Sequence, residues 1–325
     1  MMSRFVLLTA VAVIHLVSNA MAQPAGPYPN HPIKMVVPFA PGGADLIARL
    51  IGERITTALG QPVVIENRPG GAGGTVGTKS VTAADPDGYT LTLASPGPIT
   101  VAPAVNKTLE YDPLKQLTAV AMIARSPFVL VMNPDIPANT LREFIAYAKA
   151  NPGKINFVSP GFGTSSHLFG ELLKQRTGVD IIHIPYRGSA PAIVDLVAGQ
   201  VQLYFDNVRN LKPFIQSGKL RALGVTSDSR SSELPDVPTM KEAGVEGVEV
   251  PVWYALLAPA ATPREIVAAL GNATARAARS PDTKQRLVEQ GADPVGNTPE
   301  EFAKLLRTEV LKYAEIVRIS GAKPE

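Results

Sequence analysis

The side chains that could do chemistry gather at a few glycine- and hydroxyl-rich stretches. Ser165, Ser166 and His167 stand in succession, and a serine beside a histidine invites a hydrolase reading. Adjacent residues at a helix start do not face each other, so this run does not form a triad. No G-x-S-x-G elbow presents a nucleophile either. Hydroxyls and backbone N–H groups at a helix start suit holding a ligand better than attacking one, and His167 either bonds within a cleft or packs. His31 and His183 have no partners at ligand spacing and H-E-x-x-H is absent, so no metal is expected. The sequence has no cysteine, which excludes thiol catalysis and thiolate metal sites. The glycine-rich run 70–74 fits neither the dinucleotide nor the P-loop pattern. It reads as a structural loop, and no cofactor is expected.

Three segments share a different chemistry. Residues 41–45, 161–166 and 188–190 each follow a strand-like run and open a helix-like one. A helix start leaves backbone N–H groups unpaired and carries about half a positive charge. Small residues let an anion approach that backbone with no Arg or Lys needed. One such loop alone would be a compact turn; three in one chain point to an anion site. Gly42 and Gly43 suit a close backbone approach. Tyr186 offers a ring or a hydroxyl, or is a half-buried tyrosine at a strand end. Asp206 suits a ligand ammonium or a bridging water, or caps the turn that follows. Arg187 is a candidate partner for a second carboxylate, or faces solvent. Trp253 reads as core or hinge packing.

The elements that position these residues alternate. Strands are expected at 33–37, 62–66, 90–94, 129–132, 155–158, 181–184, 203–205, 221–225 and 249–258. Between them lies a helix with Ile47, Ile51, Ile55 and Leu59 on one face, stopped by Gly60. A second is capped by Thr140, and others cover 165–176 and 190–198. Beyond Ala258 the chain turns helical, apart from loops at 280–282 and 291–298. This alternation is an α/β pattern with largely parallel sheets.

The first 22 residues read as a signal peptide: Arg4, an apolar run at 5–17, then Ala20-Met21-Ala22 as a small-x-small cleavage site. Cleavage after Ala22 would send the mature chain to the periplasm. The apolar run is shorter than the roughly 20 residues that span a bilayer. The 325-residue chain is long enough for two domains, since single cores stop growing near ~250–300 residues. The formal charge is +3, with no basic run and no basic–aromatic interleaving, so no nucleic-acid partner is expected.

Ordered motifs run from Tyr28 to about Ile319. They include Tyr28-Pro29, Val37-Pro38-Phe39-Ala40-Pro41-Gly42-Gly43, Glu66-Asn67-Arg68-Pro69-Gly70-Gly71-Ala72-Gly73 and Asp85-Pro86-Asp87-Gly88-Tyr89. Tyr111-Asp112-Pro113, Gly163-Thr164-Ser165-Ser166-His167-Leu168, Pro185-Tyr186-Arg187-Gly188-Ser189-Ala190-Pro191 and Gly218-Lys219-Leu220-Arg221-Ala222-Leu223 follow. In these the chain resembles the Bug family of extracytoplasmic solute receptors, the binding proteins of tripartite tricarboxylate transporters. The resemblance implies a type II periplasmic-binding-protein fold: two lobes joined by hinge strands, with lobe 1 from 23–125 and 252–325 and lobe 2 from 126–251. It implies a monomer that is not an enzyme, that captures a small organic anion and presents it to integral-membrane transporter subunits. The ligand classes it leaves open are a dicarboxylate, a tricarboxylate, an aromatic acid and an amino acid. A receptor signalling to a sensor kinase is the alternative, and a secreted hydrolase using Ser165 or Ser166 a more distant one.

The resemblance also implies ligand contacts. From the first loop these are Phe39, Ala40, Gly42, Gly43, Ala44 and Asp45. From the second lobe they are Thr164, Ser165, Ser166, His167, Tyr186, Gly188, Ser189 and Asp206. Ser95, at the end of a strand, is expected to face the same cleft. One departure stands out: only Ala44 separates Gly43 from Asp45, where the family has two residues. Asp45 is then expected either to cap the helix or to point elsewhere, and the shortened loop bears on which ligand fits.

Overall fold

The computed structural model describes residues 27–248 and 252–320. The expected signal peptide lies outside these residues, as do residues 249–251, the start of the strand expected at 249–258. The first stretch runs β1 (Ile33–Val37), α1 (Gly43–Leu59), β2 (Val63–Asn67), α2 (Thr75–Thr82) and β3 (Thr90–Ala94). A π turn (Gly97–Val101) and the short helices α3 (Ala102–Val105) and α4 (Pro113–Gln116) lead to β4 (Leu117–Ser126). Then come β5 (Phe128–Met132), α5 (Leu141–Ala150), β6 (Ile155–Ser159), α6 (Ser165–Thr177) and β7 (Ile181–Pro185). α7 (Ser189–Val197), β8 (Leu203–Asn207), α8 (Val208–Gln216) and β9 (Arg221–Val225) follow. The chain returns through β10 (Val252–Pro259), α9 (Arg264–Arg279), α10 (Pro281–Glu289), β11 (Asp293–Pro294) and α11 (Pro299–Ser320).

Two sheets result. The six-stranded one has the order β11-β4-β10-β3-β1-β2, and the five-stranded one β7-β6-β8-β5-β9. β1 runs parallel to β2 and β3, while β10 is antiparallel to both β3 and β4. β6 is parallel to β7 and β8. Only Pro127 separates β4 of one sheet from β5 of the other. Proline donates no backbone N–H, which suits a break in the ladder. Each sheet with its helices forms one lobe.

Local sequence explains these elements. β1 reads Ile-Lys-Met-Val-Val without polar alternation because helices cover both faces, and all but Lys34 are buried. α1 buries Ile47, Leu50, Ile51 and Ile55, each worth about 1.5–3 kcal/mol relative to exposure. It ends at Gly60, which takes a left-handed φ of 75° and donates its N–H to the Thr56 carbonyl at 2.9 Å. α11 starts with a reciprocal cap: the Thr298 N–H donates to Glu301 Oε2 (2.9 Å), and the Glu301 N–H to Thr298 Oγ1 (3.2 Å). Most boundaries fall within a residue of expectation, and two larger differences stand out. The loop expected at 280–282 is already helical from Pro281, since proline suits the first helical position. The strand expected at 203–205 continues to Asn207, which carries Asp206 to the buried end of β8.

Candidate functional site

The loops after the parallel strands of each sheet face one another, and glycines let them touch. A Cβ placed on Gly73 would lie 2.6 Å from the Gly163 carbonyl oxygen of the opposite lobe. One placed on Gly97 would lie 2.9 Å from the Gly73 oxygen and 3.5 Å from that of Gly163. Backbone meets backbone there, and no side chain fits between. Further along, a Cβ on Gly43 would stand 3.9 Å from Asn210 Nδ2 on α8. At the hinge, Ser126 Oγ donates to the Gly291 carbonyl (2.7 Å) and accepts from Asn207 Nδ2 (2.5 Å).

On lobe 1 the β1–α1 loop is pinned from behind. Asp45 is 5% exposed. Its two oxygens accept a fork from Arg49, from Nε at 2.9 Å and Nη2 at 3.0 Å. Arg49 also donates to Asn67 Oδ1 (3.4 Å), and Asn67 Nδ2 donates to the Phe39 carbonyl (3.1 Å). Asp45 is thus committed to its own helix and caps nothing. Gly42 precedes α1 with extended backbone and no capping side chain. The first amides of α1, from Gly43, Ala44 and Asp45, have no partner within the helix. Phe39 is half-buried, Ala40 is exposed, and Ser95 is buried just past β3.

On lobe 2, two of the helix starts are closed by their own side chains. Thr164 Oγ1 accepts the His167 N–H (3.4 Å) and donates to the Gly161 carbonyl (2.7 Å), capping α6. Asn207 Oδ1 accepts the Arg209 N–H (2.9 Å), capping α8. α7 is different. It follows Gly188, at φ 118°, and has no side-chain cap. Its second helical residue is Ala190 and its third is Pro191, so Ser189 and Ala190 supply its open amides. A Cβ on Gly188 would meet no atom within 4 Å, so this start opens onto free space.

A buried polar chain lies between the starts of α1 and α7. The Tyr204 hydroxyl donates to Ser189 Oγ (3.0 Å). Asp206, 4% exposed, accepts from the Asn207 N–H at 2.8 Å and from Asn210 Nδ2 at 3.0 Å. Burial pushes the Asp206 carboxyl up, against opposing hydrogen bonds from Asn210, Asn207, Tyr204 and Ser189. Both its oxygens are engaged, and Asn207, not Asp206, caps the following helix. Tyr186 turns its hydroxyl away, onto Asp195 Oδ2 of α7 (2.6 Å); burial first and that carboxylate second raise it to about 12. Arg187 is exposed.

Ser165, Ser166 and His167 are all buried. His167 Nδ1 accepts the Gly163 N–H (3.3 Å), and its ring stacks on His183 with centroids 4.3 Å apart. The serine that meets a histidine is Ser159, whose Oγ lies 2.7 Å from His183 Nε2. That contact lacks the parts of a catalytic dyad. His183 Nδ1 is buried with no partner to orient the ring, and burial lowers its pKa to about 3. Ser159 Oγ is also within bonding distance of both the carbonyl and the N–H of Gly161.

Residues 47–321 match the family model described as the tripartite tricarboxylate transporter family receptor. The chain belongs to that family. The matched stretch begins in the second turn of α1, after β1, and takes in β2 to β11. Among curated relatives, Protein BugT of Bordetella pertussis is 39% identical over 320 residues, 97% of this chain and 98% of that protein. An R. palustris protein solved with adipate is 35% identical, with a TM-score of 0.87 over 92% of this chain and all of that one. MatC from Rhodopseudomonas palustris, solved with bound malate, is 36% identical, with a TM-score of 0.83 over 89% of this chain and all of that one. The receptor family's two-lobed periplasmic-binding-protein fold is the fold of this chain.

The structure brings Gly42, Gly43 and Ala44 of one lobe toward Gly188, Ser189 and Asp206 of the other, through Asn210 and Tyr204. It turns the side-chain groups of Asp45 and Tyr186 elsewhere. Asn210, Gly73 and Gly97 are interlobe residues that sequence reasoning missed, as it missed Tyr204, the buried partner of Ser189 within lobe 2. The one available signal was Asn207 three residues before Asn210, a helix-start spacing, which Pro213 obscures.

Proposed function

We propose that this chain is a periplasmic receptor that captures a small dicarboxylate between its lobes and presents it to integral-membrane subunits of a tripartite transporter. The lobes divide as 23–125 with 252–325, and 126–251. The observation that carries the reading is the contrast among helix starts. α5, α6 and α8 are closed by Thr140, Thr164 and Asn207, whereas α1 and α7, on opposite lobes, begin at Gly42 and Gly188 with no side-chain cap; α2 also begins at a glycine, Gly74, but there the Gly70 carbonyl takes the Val76 N–H (3.2 Å). Each open start is an anion pole made of backbone amides. Two poles suit a molecule with a carboxylate at each end. Phe39, Ala40, Ala44 and Ser95 would line the first pole, and Ser165, Ser166, Gly188 and Ser189 the second. Asp206 has both oxygens occupied, which argues against a ligand ammonium as its partner. Relatives solved with adipate and with malate support the same ligand class.

The test is calorimetric titration of the ligand-stripped protein with malate, adipate, citrate, benzoate and aspartate. Malate or adipate should bind at least tenfold more tightly than benzoate. Equal affinity for benzoate would remove the second pole, and binding by none of the five would remove the reading altogether.

A further inference from the structure

Gly163 holds the lobe 2 side of the glycine junction, yet has no side chain to fix it. It sits at φ 69°, and its position depends on what bonds its backbone. The bond it makes runs to His167 Nδ1, one turn into α6. Being an acceptor, that nitrogen must be unprotonated, which places the ring proton on Nε2. Burial, then the Lys174 charge, lower His167 to about 4, which keeps the ring neutral at ordinary pH. A neutral ring also suits the positive end of a helix.

The ring is itself held. His167 stacks on His183 of β7, which Ser159 at the end of β6 holds through Nε2 at 2.7 Å. Phe162 stands edge-on to both rings, at 5.3 Å and 4.9 Å between centroids. Two strand residues therefore anchor the loop through a pair of imidazoles.

We infer that His167 is a positioning residue for lobe closure, which anchors Gly163 so that its carbonyl meets Gly73 and Gly97 across the cleft. The inference rests on the proposed binding function, in which closure retains the ligand. A receptor whose closed form is less populated binds more weakly by that fraction, and the change falls mainly on dissociation. His167 touches no ligand in this scheme.

Two variants separate acceptor from bulk. His167→Asn keeps an acceptor at the δ position, while His167→Leu fills the space without one. The probes are malate and adipate. Losing one hydrogen bond at the closed interface should speed probe dissociation about tenfold in His167→Leu and less than about threefold in His167→Asn. Without any probe, NMR should show the Gly163 amide exchanging about tenfold faster in His167→Leu than in wild type, with β8 amides unchanged. The imidazole nitrogen spectrum of wild type should show an unprotonated Nδ1 at neutral pH. A protonated Nδ1, or equal Gly163 exchange in all three proteins, overturns the inference. Equal dissociation of a bound probe from wild type and His167→Leu also overturns it. Should neither probe bind wild type, the proposed function fails, and exchange and tautomer still decide the role of His167.

Discussion

Gly73→Ala should separate folding from closure. The residue sits at φ 66°, where an L-side chain costs about 1–2 kcal/mol in the folded protein, whether its lobes are open or closed. Its new Cβ would lie 2.6 Å from the Gly163 oxygen, inside any tolerated carbon–oxygen contact. That clash exists only when the lobes meet. Overpacking of this kind costs about 1–3 kcal/mol, which becomes a roughly 5- to 150-fold loss of affinity. Gly178→Ala is the matched control. It has φ 69° and a Cβ there would meet nothing within 4 Å, so it carries the backbone penalty alone. Thermal melting should drop by a similar few degrees in both variants. Titration with malate or adipate should weaken in Gly73→Ala only. Unchanged affinity in Gly73→Ala, or an equal loss in Gly178→Ala, would refute the reasoning.

Gly43→Val should leave melting nearly unchanged, because a Cβ there meets only Asn210 Nδ2 at 3.9 Å, yet abolish dicarboxylate binding by filling the space before the α1 amides; calorimetry checks it. His167 and His183 are depressed to about 4 and about 3, against about 6.5 when unfolded. The unfolded chain then binds more protons between those values, so this contribution to stability is lost as pH falls from about 6.5 toward 4. Urea denaturation at pH 7 and pH 5 should show it, with a smaller difference in His167→Asn. Asp206 has the opposite sign: its raised carboxyl favours the folded state at low pH and loses that contribution as pH rises above the ordinary carboxyl range. Asp206→Asn should flatten that part of the profile in the same assay. Asn207→Ala removes the α8 cap and the Ser126 bond together, and should cost roughly 2–3 kcal/mol in denaturant unfolding.

The fold was legible where short apolar runs lie between strong punctuation. The strands at 33–37, 90–94 and 221–225 match the expected bounds. α1 stops where Gly60 said it would. What the residue pattern did not show, and only the resemblance implied, was membership. Residues 122–132 look like one β-rich stretch, but β4 and β5 belong to different sheets. α8 stayed hidden because Pro213 lies within it. At the site, the backbone poles were readable as glycines before helices. The fate of Asp45 was half-readable, since Arg49 stands four residues on and one turn away. The partners of Asp206 were not, because Tyr204 hydroxyl and Ser189 meet only after β8 and α7 pack. The Ser159–His183 contact likewise depends on the β6–β7 register, which sets Ser159 opposite Pro185 and Phe157 opposite His183.

The position of β10 has a bearing on how the chain can be assembled. It is the strand that joins β3 to β4 in the middle of the six-stranded sheet, yet it starts at Val252. A chain shorter than that has β2-β1-β3 on one side and β4 on the other, with nothing between them. The five-stranded sheet has all its strands by Val225. During synthesis the inserted lobe can therefore complete itself first, while the lobe that begins the chain waits for its last quarter. Truncation behind Pro259 and truncation before Val252 should differ in kind. The first strips helices and the two-residue edge strand β11 from a sheet whose other five strands are paired; the second leaves a sheet that cannot close.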